Sequence, residues 1–200
     1  MIFKKEGVNS LTFRYAPENF GQVLVLQDDF SDESVCQKAA ALSKIPPANR
    51  SSLLGRCALL LLLQEAFPSL QTDHILTKES SGQISLPKEL GFCSISHDGP
   101  FAAAVLSAHP VGLDLLLACR DPGKAFYRMV PRAKNAAFSD AHGLWTCLEA
   151  YSKLLGCGLP LSKEDLARLS LEKGALVAEN ARFFIQKERD FTLSLAKFSL

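Results

Sequence analysis

Hydrophobic positions along the chain alternate between stretches of helical spacing and short apolar runs closed by turn residues. Gly21–Leu26 is the first such run and predicts a strand. Asp32 and Glu33 follow, acids where the first turn of a helix favours them, and that helix is expected to run to about Lys44, before Pro46-Pro47. A second helix is expected from about Ala48 to Phe67. Its leucine run, Leu59–Leu63, is apolar on nearly every side, so the helix should be buried. The pattern then shortens. His74–Lys78, Phe92–Ser96, Phe101–Ser107 and Val111–Leu117 predict strands, and Asp98-Gly99 predicts a hairpin turn between the second and third of them. Helical spacing returns from Leu144 to Leu155 and stops at Gly156 and Gly158. Ser162 with Asp165 marks a helix start for Lys163–Leu169, and Ala175–Ala178, Arg182–Gln186 and Phe191–Leu195 alternate like antiparallel strands. Helices and strands are segregated, which predicts an α+β fold.

Composition narrows the function classes. With 48% apolar and 22% charged residues among 200, the chain can build a core and is not disordered. A net charge of +1 argues against a general nucleic-acid binder. The six cysteines, Cys36, Cys57, Cys93, Cys119, Cys147 and Cys157, show no Cys-x-x-Cys pair and no clustered histidines. They suit buried thiols in a reducing compartment better than a disulfide framework or a zinc site. Met1-Ile-Phe-Lys-Lys lacks the apolar stretch of a secretory signal, and the longest apolar stretch, Phe101–Cys119, is interrupted by His109, Pro110 and Asp114. A soluble cytoplasmic protein with no membrane segment is expected.

Three segments carry candidate chemistry. Phe92-Cys-Ser-Ile-Ser-His97 is a strand ending in a hydroxyl and an imidazole, either of which can bond a phosphate oxygen, or simply end a strand in a polar turn. Val111-Gly-Leu-Asp-Leu-Leu-Leu117 places the Asp114 carboxylate in a strand so apolar that it must be paired or hold a metal; a role in function outweighs a solvated strand end. In Trp145-Thr-Cys-Leu-Glu-Ala-Tyr-Ser-Lys153, Glu149 and Lys153 are four apart and share a helix face. That spacing alone does not separate a catalytic pair from a surface ion pair. His74, His109 and His142 take no role, and Cys147 and Cys157 are expected to be packing residues.

In this order the segments resemble the 4′-phosphopantetheinyl transferase superfamily, in its larger, two-halved, surfactin-synthetase-activating class. That family shows a Gly-Lys-Pro region, Phe-x-Ile-Ser-His, Gly-(Val/Ile)-Asp-Ile-Glu, then Trp-x-x-Lys-Glu-(Ala/Ser)-x-x-Lys-x-x-Gly-x-Gly-Leu. The corresponding segments here are Gly82-Gln-Ile, Phe92–His97, Gly112-Leu-Asp-Leu-Leu116 and Trp145–Leu159, and Arg56 matches a basic position before the apolar helix. The resemblance spans roughly residues 45 to 160. It departs from the family at Leu116, Gln83 and Leu148, which replace an acid and two lysines, and the segment between Asp114 and Trp145 is short.

The resemblance implies two similar halves, 1–107 and 108–200, related by a pseudo-twofold in one compact unit, each a small antiparallel sheet packed with helices. It implies transfer of the phosphopantetheine arm of coenzyme A to a serine of an apo acyl or peptidyl carrier protein, by a monomer. Asp114 and Glu149 would hold Mg²⁺, Glu149 would accept the serine proton, and Lys153 would stabilise the departing 3′,5′-ADP. Ser96 and His97 would bind phosphate oxygens, and Arg56 the phosphoadenosine end. The alternative is a degenerate relative that binds coenzyme A or a carrier protein without transfer.

Overall fold

A computed structural model of the chain describes residues 2–4, 12–78, 83–122, 141–172 and 175–199. The chain divides into two compact units between Val111 and Gly112, four residues beyond the expected boundary. Both mix helices with an antiparallel sheet.

The N-terminal unit begins with β1 (Ile2–Lys4), β2 (Thr12–Tyr15) and β3 (Gln22–Gln27), followed by α1 (Glu33–Ala41) and α2 (Arg50–Ala66). A small ribbon of β4 (Thr77–Lys78) and β5 (Ile84–Ser85) leads to the hairpin β6 (Phe92–Asp98) and β7 (Phe101–Ser107). The sheet runs β1-β2-β3-β7-β6, so the returning hairpin strand lies beside β3. Each helix opens on a side-chain cap. The Asp32 carboxylate accepts from the Val35 N–H and the Asn49 side chain from the Ser52 N–H, satisfying donors that have no intrahelical partner. α2 lies close on the sheet because Gly55 faces it; a Cβ there would come within 2.4 Å of Ile95 Cγ2. Its leucines then join Leu24, Leu26, Ala102 and Ala104 in one core. Together with the capping groups, this burial is what holds so short a set of strands as a unit.

The C-terminal unit consists of β8 (Val111–Leu117), α3 (Ala141–Leu155), α4 (Lys163–Ala167), and the strands β9 (Leu169–Glu172), β10 (Ala175–Ala178), β11 (Ala181–Lys187) and β12 (Phe191–Phe198). Its sheet runs β8-β12-β11-β10-β9. The Ala118 N–H donates to the Asp190 carbonyl at 2.9 Å, which sets the end of β8 beside the start of β12. Tyr151, Leu148 and Leu144 of α3 pack with Leu176 and Ala196 in a second core. The two units share one chain path: a strand (β3 or β8), a helix (α2 or α3), then a hairpin (β6–β7 or β11–β12) whose last strand lies beside the first.

The departures from the expected elements have local causes. α1 ends at Ala41 rather than Lys44, since the Ala41 and Leu42 carbonyls accept from the His74 and Leu76 N–H groups instead of continuing the helix. The strand expected from His74 shrinks to Thr77–Lys78. His74 itself has φ +59°, a left-handed conformation that cannot continue a ladder. α4 stops at Ala167 because Leu169 already pairs with Ala178 of β10. Among the described residues no helix is long and apolar enough to cross a membrane.

Cysteine placement corrects the uniform burial expected of the thiols. Cys57, Cys93 and Cys147 are buried, Cys36 is half-buried, and Cys119 and Cys157 are exposed, so Cys157 is not a packing residue. Burial in β6 pushes the Cys93 thiol from an ordinary 9.0 up to about 12. The unfolded chain therefore ionises this thiol first, so its contribution is intact below pH 9 and is lost as pH rises toward 12. Cys93→Ala should flatten the alkaline fall in stability by up to about 1.4 kcal/mol per pH unit. Denaturant unfolding of parent and variant between pH 8 and 10.5 checks it, and parallel declines would contradict it.

Candidate functional site

Gly112 explains how the second and third motif segments meet. A Cβ on Gly112 would lie 1.9 Å from the Ala150 carbonyl oxygen and 2.6 Å from the Leu154 nitrogen, so only glycine lets β8 approach the α3 backbone this closely. Period-2 alternation puts Asp114 and Leu116 on the same face of β8 as Gly112, toward α3. The Asp114 side chain is only 4% exposed, and Lys153 of α3 reaches it: Nζ stands 2.8 Å from Asp114 Oδ1 and also donates to the Leu113 carbonyl at 2.9 Å. The carboxylate that an apolar strand could not carry alone is neutralised by a lysine 39 residues further on.

Glu149 stands one helical turn before Lys153 on the same face of α3 and is half-buried. On the same side of α3, the Thr146 hydroxyl lies 2.6 Å from that of Ser194 in β12. Leu116, where the resembled family carries an acid, is buried among leucines. Among the described residues no group of three or more His, Cys, Asp or Glu side chains converges as a metal site. Two carboxylates are nonetheless a donor set that suits Mg²⁺, a hard ion that commonly takes one or two acids and completes its shell with water and phosphate oxygens.

The remaining predicted residues belong to the N-terminal unit. Ile95 lies beneath Gly55 of α2, and His97, two positions on, shares that face and is exposed. Ser96 alternates to the other face with Ser94 and Asp98, all three buried. β6 thus places the hydroxyl of Ser96 and the imidazole of His97 on opposite faces of the sheet, not together at its end. Arg56, on α2, is half-buried. Its Nη1 is fully buried and has no hydrogen-bond partner among the described residues, and burial holds the guanidinium below its ordinary pKa. A permanently cationic group in that condition favours an anion beside it. Gln83 is half-buried, while Gly82 and residues 123–140 of the short segment lie outside the described residues.

The Asp114–Lys153 pair was the feature that residue spacing did not reveal. Glu149 is the partner that an i, i+4 count offers Lys153, and only the fold brings Asp114 to it. Two signals pointed there: a glycine in an otherwise bulky strand, and a buried acid that needed a cation. Compared with models of known protein families and with curated protein sequences, the chain matches none.

Proposed function

We propose that the chain is a Mg²⁺-dependent 4′-phosphopantetheinyl transferase, acting as a cytoplasmic monomer on coenzyme A and an apo acyl or peptidyl carrier protein. The observation that carries this reading is the Asp114–Lys153 ion pair, which joins the Gly112-x-Asp114 segment to the Glu149…Lys153 segment. The shared strand–helix–hairpin path of the two units supports a two-halved fold of that family. The buried, unpartnered Nη1 of Arg56 supports an anionic substrate.

In this reading the carrier serine attacks the β-phosphorus of coenzyme A, and the bond to the α-phosphate oxygen breaks to release 3′,5′-ADP. Glu149 accepts the serine proton. Lys153, held by Asp114 and the Leu113 carbonyl, presents fixed positive charge to the departing phosphate. Arg56 holds a phosphate of the phosphoadenosine end with its forked donors, and exposed His97 another phosphate oxygen. Buried Ser96, on the opposite face, is the weakest member of this set. Mg²⁺, bound by Asp114 and Glu149, would neutralise charge on the pyrophosphate.

A second reading, binding of coenzyme A or carrier without transfer, is favoured by one specific observation. Buried Leu116 stands where the family carries its third acid. Mass spectrometry of an apo carrier incubated with the chain, coenzyme A and Mg²⁺ separates the two. Transfer predicts a carrier heavier by one phosphopantetheine, and Glu149→Gln should slow its appearance by roughly 10²-fold or more. A panel of apo carriers left unmodified while coenzyme A still binds would establish the second reading.

A further inference from the structure

Two of the six cysteines, 21 positions apart in sequence, meet between the helices of the N-terminal unit. Cys36 of α1 and Cys57 of α2 lie with their sulfur atoms 3.8 Å apart, at van der Waals contact. Cys36 is half-buried and so within reach of a small oxidant, whereas Cys57 is fully buried behind it. The Arg50 guanidinium, anchored by Asp28 and the Phe30 carbonyl, places Nη1 3.8 Å from the Cys36 sulfur. Among the described residues the remaining cysteines lack this arrangement: Cys93 is buried, Cys119 is exposed, Cys147 contacts the Ser194 hydroxyl, and the Cys157 thiol donates to the Ser152 carbonyl.

We propose that Cys36 and Cys57 are a peroxide-responsive dithiol that closes reversibly to a disulfide and ties α1 to α2. The Cys36 thiolate attacks one oxygen of hydrogen peroxide, breaking the O–O bond, and gives a sulfenic acid and hydroxide. Cys57 then attacks the Cys36 sulfur. A sulfur–sulfur bond forms, the sulfenic oxygen leaves as water with the Cys57 proton, and peroxide has accepted the two electrons lost by the thiols. Burial pushes the Cys57 thiol up to about 12, so it stays protonated and carries the proton that leaves with the sulfenic oxygen. Closing the gap requires the sulfurs to approach by about 1.8 Å, given a bond near 2.05 Å. The link would anchor α2 at the residue directly after Arg56. None of this depends on the proposed transferase activity.

The test treats the full chain with hydrogen peroxide, blocks remaining thiols by alkylation and maps its peptides by mass spectrometry. Expected are the loss of two hydrogens, one crosslinked peptide pair containing Cys36 and Cys57, and full reversal by dithiothreitol. Cys36→Ser, at the half-buried position, should fold normally and abolish the link. Cys57→Ser should leave a Cys36 sulfenic acid that dimedone traps. If the parent keeps all six thiols, crosslinks a different pair, or retains its link in Cys36→Ser, the proposal is overturned.

Discussion

Gly112→Ala is expected to be the most damaging single-methyl change in the C-terminal unit. The added Cβ would meet the Ala150 carbonyl oxygen at 1.9 Å, its carbon at 3.0 Å and the Leu154 nitrogen at 2.6 Å. All three are backbone atoms of α3, so no side chain can rotate away. Either α3 withdraws from β8 along its length or the strand leaves its place beside β12. Both routes loosen the core around Leu144, Leu148 and Tyr151. Overpacking of this kind costs about 3 kcal/mol or more, and a thermal midpoint lower by on the order of 10 °C follows. Lys153 would lose its hold on Asp114 in the same shift, so transfer should fall with stability. Gly158→Ala is the control. Its φ of +67° strains any side chain, but a Cβ there meets nothing within 4 Å. That variant should lose only about 1 kcal/mol. Equal losses in the two variants would refute the close approach of β8 and α3.

Local chemistry explains which elements could be read from the sequence. Phe101–Ser107 and Val111–Leu117 match their strands residue for residue, because Asp98-Gly99-Pro100 precedes the first run and His109-Pro110 separates the two. α2 was legible from its continuous apolar body, though expected from about Ala48 to Phe67 and found over Arg50–Ala66 behind an Asn49 cap that was not among the expected features. The missed strands β1, β2, β5 and β9 owe their conformation to partners elsewhere. Thr12–Tyr15 pairs with Val23–Leu26, and Leu169–Glu172 with Ala175–Ala178; Thr12–Tyr15 and Leu169–Glu172 each alternate apolar with polar residues, but over only 4 residues, too few to separate a strand from a helical turn. The same division holds for the candidate site. Asp114 stood out because its neighbours are leucines, a local contrast. Its pairing with Lys153, the separation of Ser96 from His97 by strand alternation, and the contact of Cys36 with Cys57 arise from packing between distant segments.

Lys153→Met and Asp114→Asn remove the same ion pair, yet they are expected to differ sharply. In Lys153→Met the carboxylate loses its ammonium partner while its side chain remains 4% exposed in a strand of leucines. Breaking a buried pair from this side costs roughly 3–5 kcal/mol, most of it the penalty for a charge without its counter-ion. In Asp114→Asn the ammonium keeps the Leu113 carbonyl, and Lys153, 30% exposed, can turn its charge toward water. The amide also keeps the shape of the carboxylate, so a loss of about 1–2 kcal/mol is expected. Added Mg²⁺ should sharpen the contrast. With Lys153 gone, Asp114 is the acid most in need of a cation, and Mg²⁺ should raise the thermal midpoint of Lys153→Met more than that of the parent. Asp114→Asn should respond least, and sodium chloride at matched ionic strength separates binding from screening. On the proposed reading transfer should fail in both variants, since one would lack the charge assigned to the leaving phosphate and the other a proposed metal ligand. Equal stability in the two variants, with no Mg²⁺ response in either, would mean that Asp114 neither depends on Lys153 nor accepts a metal, and the transferase reading would lose the observation on which it rests.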